Sequence, residues 1–68
     1  MNKLSIRLKE LREEKGLTQS ELAKALNYTQ TTIARWEAGN QSPNLDCLIA
    51  LAKFFDCTTD YLLGLTDY

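Results

Sequence analysis

The chain has no histidine among its 68 residues, and its two cysteines, Cys47 and Cys57, are not spaced as a CxxC pair. These two facts exclude a structural zinc site within one chain and a thiol–imidazole catalytic pair. A disulfide between them is not expected in a reducing cytoplasm, and both read as small apolar residues on or near a helix. A single proline and an apolar share of 44% lie outside the composition of a disordered tail. No apolar run approaches the ~20 residues of a membrane span, and the opening Met-Asn-Lys-Leu-Ser begins no secretory signal. The expected compartment is the cytoplasm, with no membrane contact. Neither a glycine-rich phosphate loop nor a GxSxG nucleophile turn is present. Carboxylate pairs such as Glu13 and Glu14 fall on a solvated helix face, and a core of this size leaves no room for a pocket of the usual volume. An enzyme is therefore not expected, nor is a metal or other cofactor.

Sixty-eight residues make one domain, residues 1–68, whose stability must come from economical helix packing or from a partner. Neither charge dominates: the net charge is −1 and the pI about 5.2. The charge is unevenly distributed, however. Residues 1–15 carry five bases (Lys3, Arg7, Lys9, Arg12, Lys15) against three acids, a balance of +2. Residues 16–44 balance at zero, and residues 45–68 carry Lys53 against Asp46, Asp56, Asp60 and Asp67, a balance of −3. The acidic final third is unsuited to a polyanion, whereas the first two-thirds are compatible with one.

Five helices are legible from their ends. The first runs from about Leu4 or Ser5 to Lys15, with Leu4, Leu8 and Leu11 as its apolar stripe and Gly16 as its stop. Thr18 and Glu21 form a capping box for the second, with Leu17 and Leu22 placed as a hydrophobic staple. Leu22, Ala23 and Leu26 face inward, and Asn27 reverses the chain in a left-handed conformation. Thr29 caps a third helix pinned by Ile33 and Trp36 and ended by Gly39. After the loop from Asn40 to Pro43, Asn44 caps a fourth helix whose inner face is Leu45, Leu48, Ala52 and Phe55. Thr58 caps a short fifth helix that returns Leu62 and Leu63 to the core. No strand-like alternation is found, so the fold class is all-α.

Within this plan, residues 19–38 form two short helices across a tight turn, with Thr29, Gln30, Thr31, Thr32 and Arg35 pointing away from the core. A helix offered this way suits the major groove of DNA. Glutamine can pair with adenine N6 and N7, threonine can hydrogen-bond or meet a thymine methyl, and arginine suits guanine O6 and N7. For Gln30, the plain alternative is a solvated residue at a helix start. Gln19 begins the preceding helix, where free N–H groups and the helix dipole favour a phosphate. Asn40, Gln41 and Asn44 offer donors on the other flank, where asparagine equally serves turns and caps. Arg7 and Lys9 reach phosphates only if the first helix tilts toward the duplex. Trp36 packs in the core or stacks on a base.

With these residues in place, the chain resembles the Cro-type (XRE, lambda-repressor-like) helix-turn-helix family over about residues 4–64. The resemblance is carried by L-R-E-E-K-G-L-T-Q (Leu11 to Gln19), E-L-A (Glu21 to Ala23), I-A-R-W-E (Ile33 to Glu37), Gly39, Pro43 and L-A-K (Leu51 to Lys53). Asn27 stands where the family usually has glycine. The resemblance implies a compact five-helix lambda-repressor-like bundle. It also implies a DNA-binding domain of a prokaryotic or phage transcriptional regulator, usually a repressor, acting as a homodimer on a palindromic operator. It further implies that Gln19 holds both a backbone phosphate and Gln30, and that Arg12 and Glu37 form a structural ion pair joining the first helix to the end of the third. The apolar residues left after the core is assigned (Ile49, Phe54, Tyr61, Leu65 and Tyr68) are the expected dimer contact in the C-terminal third. A helical protein-interaction module is the competing class. The acidic pI favours it, and the donors and small side chains from Gln30 to Arg35 oppose it.

Overall fold

Each helix of this protein opens and closes with the same chemistry. The structure, a computed structural model, describes residues 2–67. Its helices are α1 (Lys3–Glu14), α2 (Gln19–Leu26), α3 (Gln30–Ala38), α4 (Leu45–Phe54) and α5 (Thr59–Leu63). At every start an asparagine or threonine side chain accepts from a backbone N–H three residues on: Asn2 from Ser5, Thr18 from Glu21, Thr29 from Thr32, Asn44 from Cys47 and Thr58 from Tyr61. Each cap occupies an N–H that the helix itself leaves without a partner. At α2 the Thr18 N–H also donates to the Glu21 carboxylate at 2.8 Å, completing the capping box.

The five ends are equally uniform. Each has a residue in the left-handed region, namely Gly16, Asn27, Gly39, Asp56 and Gly64. Each then carries the paired bonds of a Schellman turn, as in Tyr28 N–H to Ala23 O at 2.8 Å and Asn27 N–H to Lys24 O at 3.3 Å. Asn27 and Asp56 adopt this conformation without being glycine, with φ of 61° and 54°. Gly64 is held to glycine twice over. Its φ is +80°, and a Cβ there would lie 2.6 Å from the Cβ of Lys3.

Around these ends α2 packs on α3, α1 on both α3 and α5, and α4 on α5. The core comprises Leu4 and Leu8, Leu22 and Ala23, Ile33 and Trp36, Leu48, Leu51 and Ala52, Phe55 and Leu62. Trp36 lies in that core, edge-on to Tyr28 with ring centroids 5.3 Å apart, so its indole packs rather than stacks on a base.

Three expectations need correction. α1 begins at Lys3 rather than Leu4 or Ser5, because Asn2 caps it, and the Ser5 hydroxyl is buried donating to Asn2 O at 2.8 Å. Leu45 is 70% exposed. The inner face of α4 is Leu48, Leu51, Ala52 and Phe55, a stripe one turn further along, and Leu45 at the first helical position overhangs the edge of the core. Leu63 is 43% exposed while Leu62 is fully buried. Neighbours on a helix lie about 100° apart, so a five-residue helix with one face on the core admits only one of them.

Candidate nucleic-acid interface

The exposed face of α3 begins where its cap ends. Thr29 supplies that cap, accepting from Thr32 N–H at 3.2 Å, and its hydroxyl lies 2.8 Å from that of Thr32. These two threonines are thus bonded to each other, and Thr32 is half-buried. Gln30, Thr31 and Arg35 are exposed. Among the described residues, Arg35 makes no ion pair.

Gln30 is not free. Its Nε2 donates to Gln19 Oε1 at 2.7 Å. Gln19 Nε2 in turn donates to Glu37 Oε1 at 3.1 Å. Glu37, only 4% exposed, also receives the Arg12 guanidinium on its carboxylate in two bonds, Nε to Oε2 at 2.7 Å and Nη2 to Oε1 at 3.0 Å. A third Arg12 nitrogen donates to Leu17 O at 2.7 Å. The expected ion pair is therefore present, and the Glu37 bonds hold the Arg12 guanidinium above its usual pKa against the opposing effect of burial. One row of hydrogen bonds thus joins α1, α2 and α3, with its buried end at Arg12 and its exposed end at Gln30. The sequence suggests the two ends as separate pairs and carries no sign of the Glu37–Gln19 bond that links them. An open cleft of about 290 Å³ lies beside this row, lined by Lys9, Gln19, Ala34, Glu37 and Ala38.

The loop after α3 carries the other candidates. Asn40 and Gln41 are exposed, and their backbone N–H groups both turn back to Arg35 O, at 3.0 and 3.4 Å. Asn44 is exposed as well, with its Oδ1 committed to Cys47 N–H at 2.8 Å and only its amide nitrogen left to offer. Next to this loop, the Cys47 thiol, with burial second, pushes the Tyr28 hydroxyl up to about 12.

Arg7 has a role that the sequence did not signal. It donates to Tyr61 O and, at 2.6 Å, to Thr66 O, and its guanidinium stacks 4.2 Å from the Tyr61 ring centroid. It is thereby committed to the segment after α5, whereas Lys9 borders the cleft beside Gln19. The residues expected at a dimer contact are similarly divided. Phe54 is half-buried, edge-on to Phe55 at 5.0 Å, and Tyr61 lies under Arg7. Ile49 and Leu65 stand exposed, and Tyr68 lies outside the described residues. Both cysteines are free and half-buried against the core, and burial, followed by the charge of Asp56, pushes the Cys57 thiol up. Among the described residues no group of side chains could hold a metal ion, and no helix is long and apolar enough to cross a membrane.

Comparison with known proteins gives this geometry a context. A sequence profile described as Helix-turn-helix matches residues 8–62. The HTH-type transcriptional activator BcrR of Enterococcus faecalis is 44% identical over 58 residues, covering 85% of this chain and 28% of that protein. The uncharacterized HTH-type transcriptional regulator YobD of Bacillus subtilis is 39% identical over 61 residues, covering 90% of this chain and 54% of that one. The chain thus spans from about a quarter to about half the length of these relatives. Among solved structures, the P22 c2 repressor protein in complex with synthetic operator 9T superposes with a TM-score of 0.85 at 30% identity, over 93% of this chain and 96% of that one.

Proposed function

The chain belongs to the Cro-type (XRE, lambda-repressor-like) helix-turn-helix family, and on that footing we propose that it binds double-stranded DNA as a transcriptional regulator, with repression as its mode. One observation carries the reading: the exposed face of α3 presents Gln30 and Thr31 at its start and Arg35 in its last turn, with Gln30 already held in place by Gln19. In this reading α3 enters the major groove. Gln30 meets adenine, Thr31 a base edge or methyl, and Arg35 guanine, while Thr29 and Thr32 chiefly hold the helix start and contact the groove's edge. Gln19, at the start of α2, takes a phosphate through unpaired backbone N–H groups, and Asn40, Gln41 and Asn44 take another on the far flank. The likeness to a repressor in complex with its operator supports this placement. A regulator of this kind acts in the cytoplasm.

The protein is proposed to act as a homodimer on a palindrome. Its longest dimension is 28 Å, short of the ~34 Å between successive major-groove faces on one side of the duplex, so one copy reads one half-site. The pairing surface is placed in the C-terminal third, around Ile49, Phe54, Tyr61 and Leu65, with Tyr68 in the same stretch of sequence.

Selection of sites from a random duplex library tests the reading, followed by anisotropy titration at two salt concentrations with wild type and Gln30→Ala. An enriched palindrome, salt-dependent binding and a selective loss at one base pair in the variant are the expected results. No enrichment and no salt-dependent binding by folded protein would favour a protein-interaction module instead.

A further inference from the structure

A glutamine amide on a protein surface can present either end, because turning it by 180° exchanges a donor for an acceptor at almost no steric cost. We propose that Glu37 removes this freedom from Gln30, acting through Gln19, and so selects adenine over guanine at the base that Gln30 reads. The selectivity rests on the DNA-binding reading above, but the polarity of the relay does not.

The chemistry runs in one direction. Glu37 is a buried carboxylate and can only accept. Its Oε1 faces Gln19 at 3.1 Å, so Gln19 must turn its NH2 inward. Reversing it would set a carbonyl oxygen against a carboxylate already desolvated by burial and would leave that acceptor short of a donor. Gln19 is therefore left with its Oε1 facing α3, where only a donor fits. Gln30 supplies that donor through Nε2 at 2.7 Å, and its reversal would oppose two carbonyl oxygens at that distance. Arg12 completes the polarity, because its two bonds hold the carboxylate in plane and in place.

The outward edge of Gln30 then carries one acceptor and one remaining N–H. Adenine offers a donor at N6 and an acceptor at N7, which matches that edge. Guanine offers two acceptors, N7 and O6, and would need both N–H groups of Gln30, one of which is already given to Gln19. Glu37 is in this sense a positioning residue, with no DNA contact of its own.

The polarity is testable first in the free wild-type protein. There are three glutamines, and the exposed Gln41 is an internal reference. In amide NMR the side-chain protons of Gln19 and Gln30 are expected to exchange with water more slowly than those of Gln41. Exchange as fast as at Gln41 would overturn the relay, whether or not the protein binds DNA. If instead the protons are protected but no duplex is bound, the DNA-binding reading fails and the relay stands.

The second arm measures relative affinity for duplexes differing only in adenine or guanine at the Gln30 position. Glu37→Gln supplies an amide that can donate or accept, so Gln19 is free to turn, and the adenine preference is expected to fall by about tenfold. Gln19→Leu cuts the same row from a half-exposed position and is expected to lower the preference similarly. In that background Glu37→Gln should change nothing further. A folded Glu37→Gln variant with the full preference would overturn the proposal, as would an equal further loss in the Gln19→Leu background. If Glu37→Gln does not fold, Gln19→Leu decides, because an undiminished adenine preference in that variant has the same meaning.

Discussion

At the scale of single residues, the two arginines of α1 divide the labour that the sequence left open. Arg12 is committed to Glu37 and to Leu17 O with its side chain 11% exposed, so removing it strands a buried carboxylate. Arg12→Ala is expected to cost about 3–5 kcal/mol in urea or thermal unfolding. A folded unit of 68 residues has only about 3–10 kcal/mol in total, so the variant should unfold near ambient temperature and lose binding as a consequence. If it melts like wild type yet no longer binds, Arg12 is a DNA contact instead. Arg7 serves two carbonyls, Tyr61 O and Thr66 O, and the face of the Tyr61 ring. A lysine ammonium lacks the planar fork that reaches both oxygens, so Arg7→Lys should be destabilising by about 1–3 kcal/mol. Backbone exchange at Leu65 and Thr66 should rise with it. The ion pair to Asp67 is a minor part of this effect, since that carboxylate is almost fully exposed. An unchanged melting curve for Arg7→Lys would show that the fork is dispensable.

At the scale of the helices, local signals and outcome agree because caps and Schellman turns are short-range chemistry. Thr18, Thr29, Asn44 and Thr58 are readable as starts, and Gly16, Asn27 and Gly39 as stops, each from a few neighbouring residues. Asn2 gives no comparable signal, because it sits at the edge of the chain's first apolar stripe. Asp56 is the least suited of the five left-handed residues, since it carries a Cβ and sits in an acidic segment. Asp56→Gly is expected to raise stability by about 0.5–1 kcal/mol, read as a shift in the urea midpoint at constant slope. A lower midpoint would mean that the carboxylate itself contributes to the turn. The capping box at α2 has a pH signature. Bonds from the Thr18 backbone and hydroxyl hold the Glu21 carboxyl below its ordinary 4.5. A depressed pKa adds stability that is present above the unfolded value and is lost as pH falls through the folded one. Melting temperature should therefore decline as pH falls from 4.5 downward, and less so in Glu21→Gln, which keeps an acceptor but does not titrate. Identical pH profiles for the two proteins would remove Glu21 from the account.

At the scale of the whole molecule, the proposed dimer is the least constrained feature. Leu65 at 74% exposed and Ile49 stand open in the C-terminal third, while Phe54 and Tyr61 are largely occupied by intramolecular contacts. Sedimentation is expected to detect dimers at concentrations on the order of tens of micromolar, and Leu65→Asp should shift the equilibrium toward monomer. A clean monomer of wild-type protein in that range would remove this surface as a pairing site. The sequence by itself determined the five helices, the turn at Asn27, the core anchor Ile33 and the outward face of α3, because capping, left-handed turns and apolar periodicity act over fewer than about eight residues, whereas only the structure set Trp36 in the core. The sequence did not determine which of two adjacent leucines in α5 turns inward, that Leu45 overhangs the core, or that Arg7 reaches Thr66, because each depends on where another helix lies. The link from Glu37 to Gln19 is of the same kind. Residues 18 positions apart meet only when α2 and α3 pack, and only that packing turns two separate polar pairs into one row from Arg12 to Gln30.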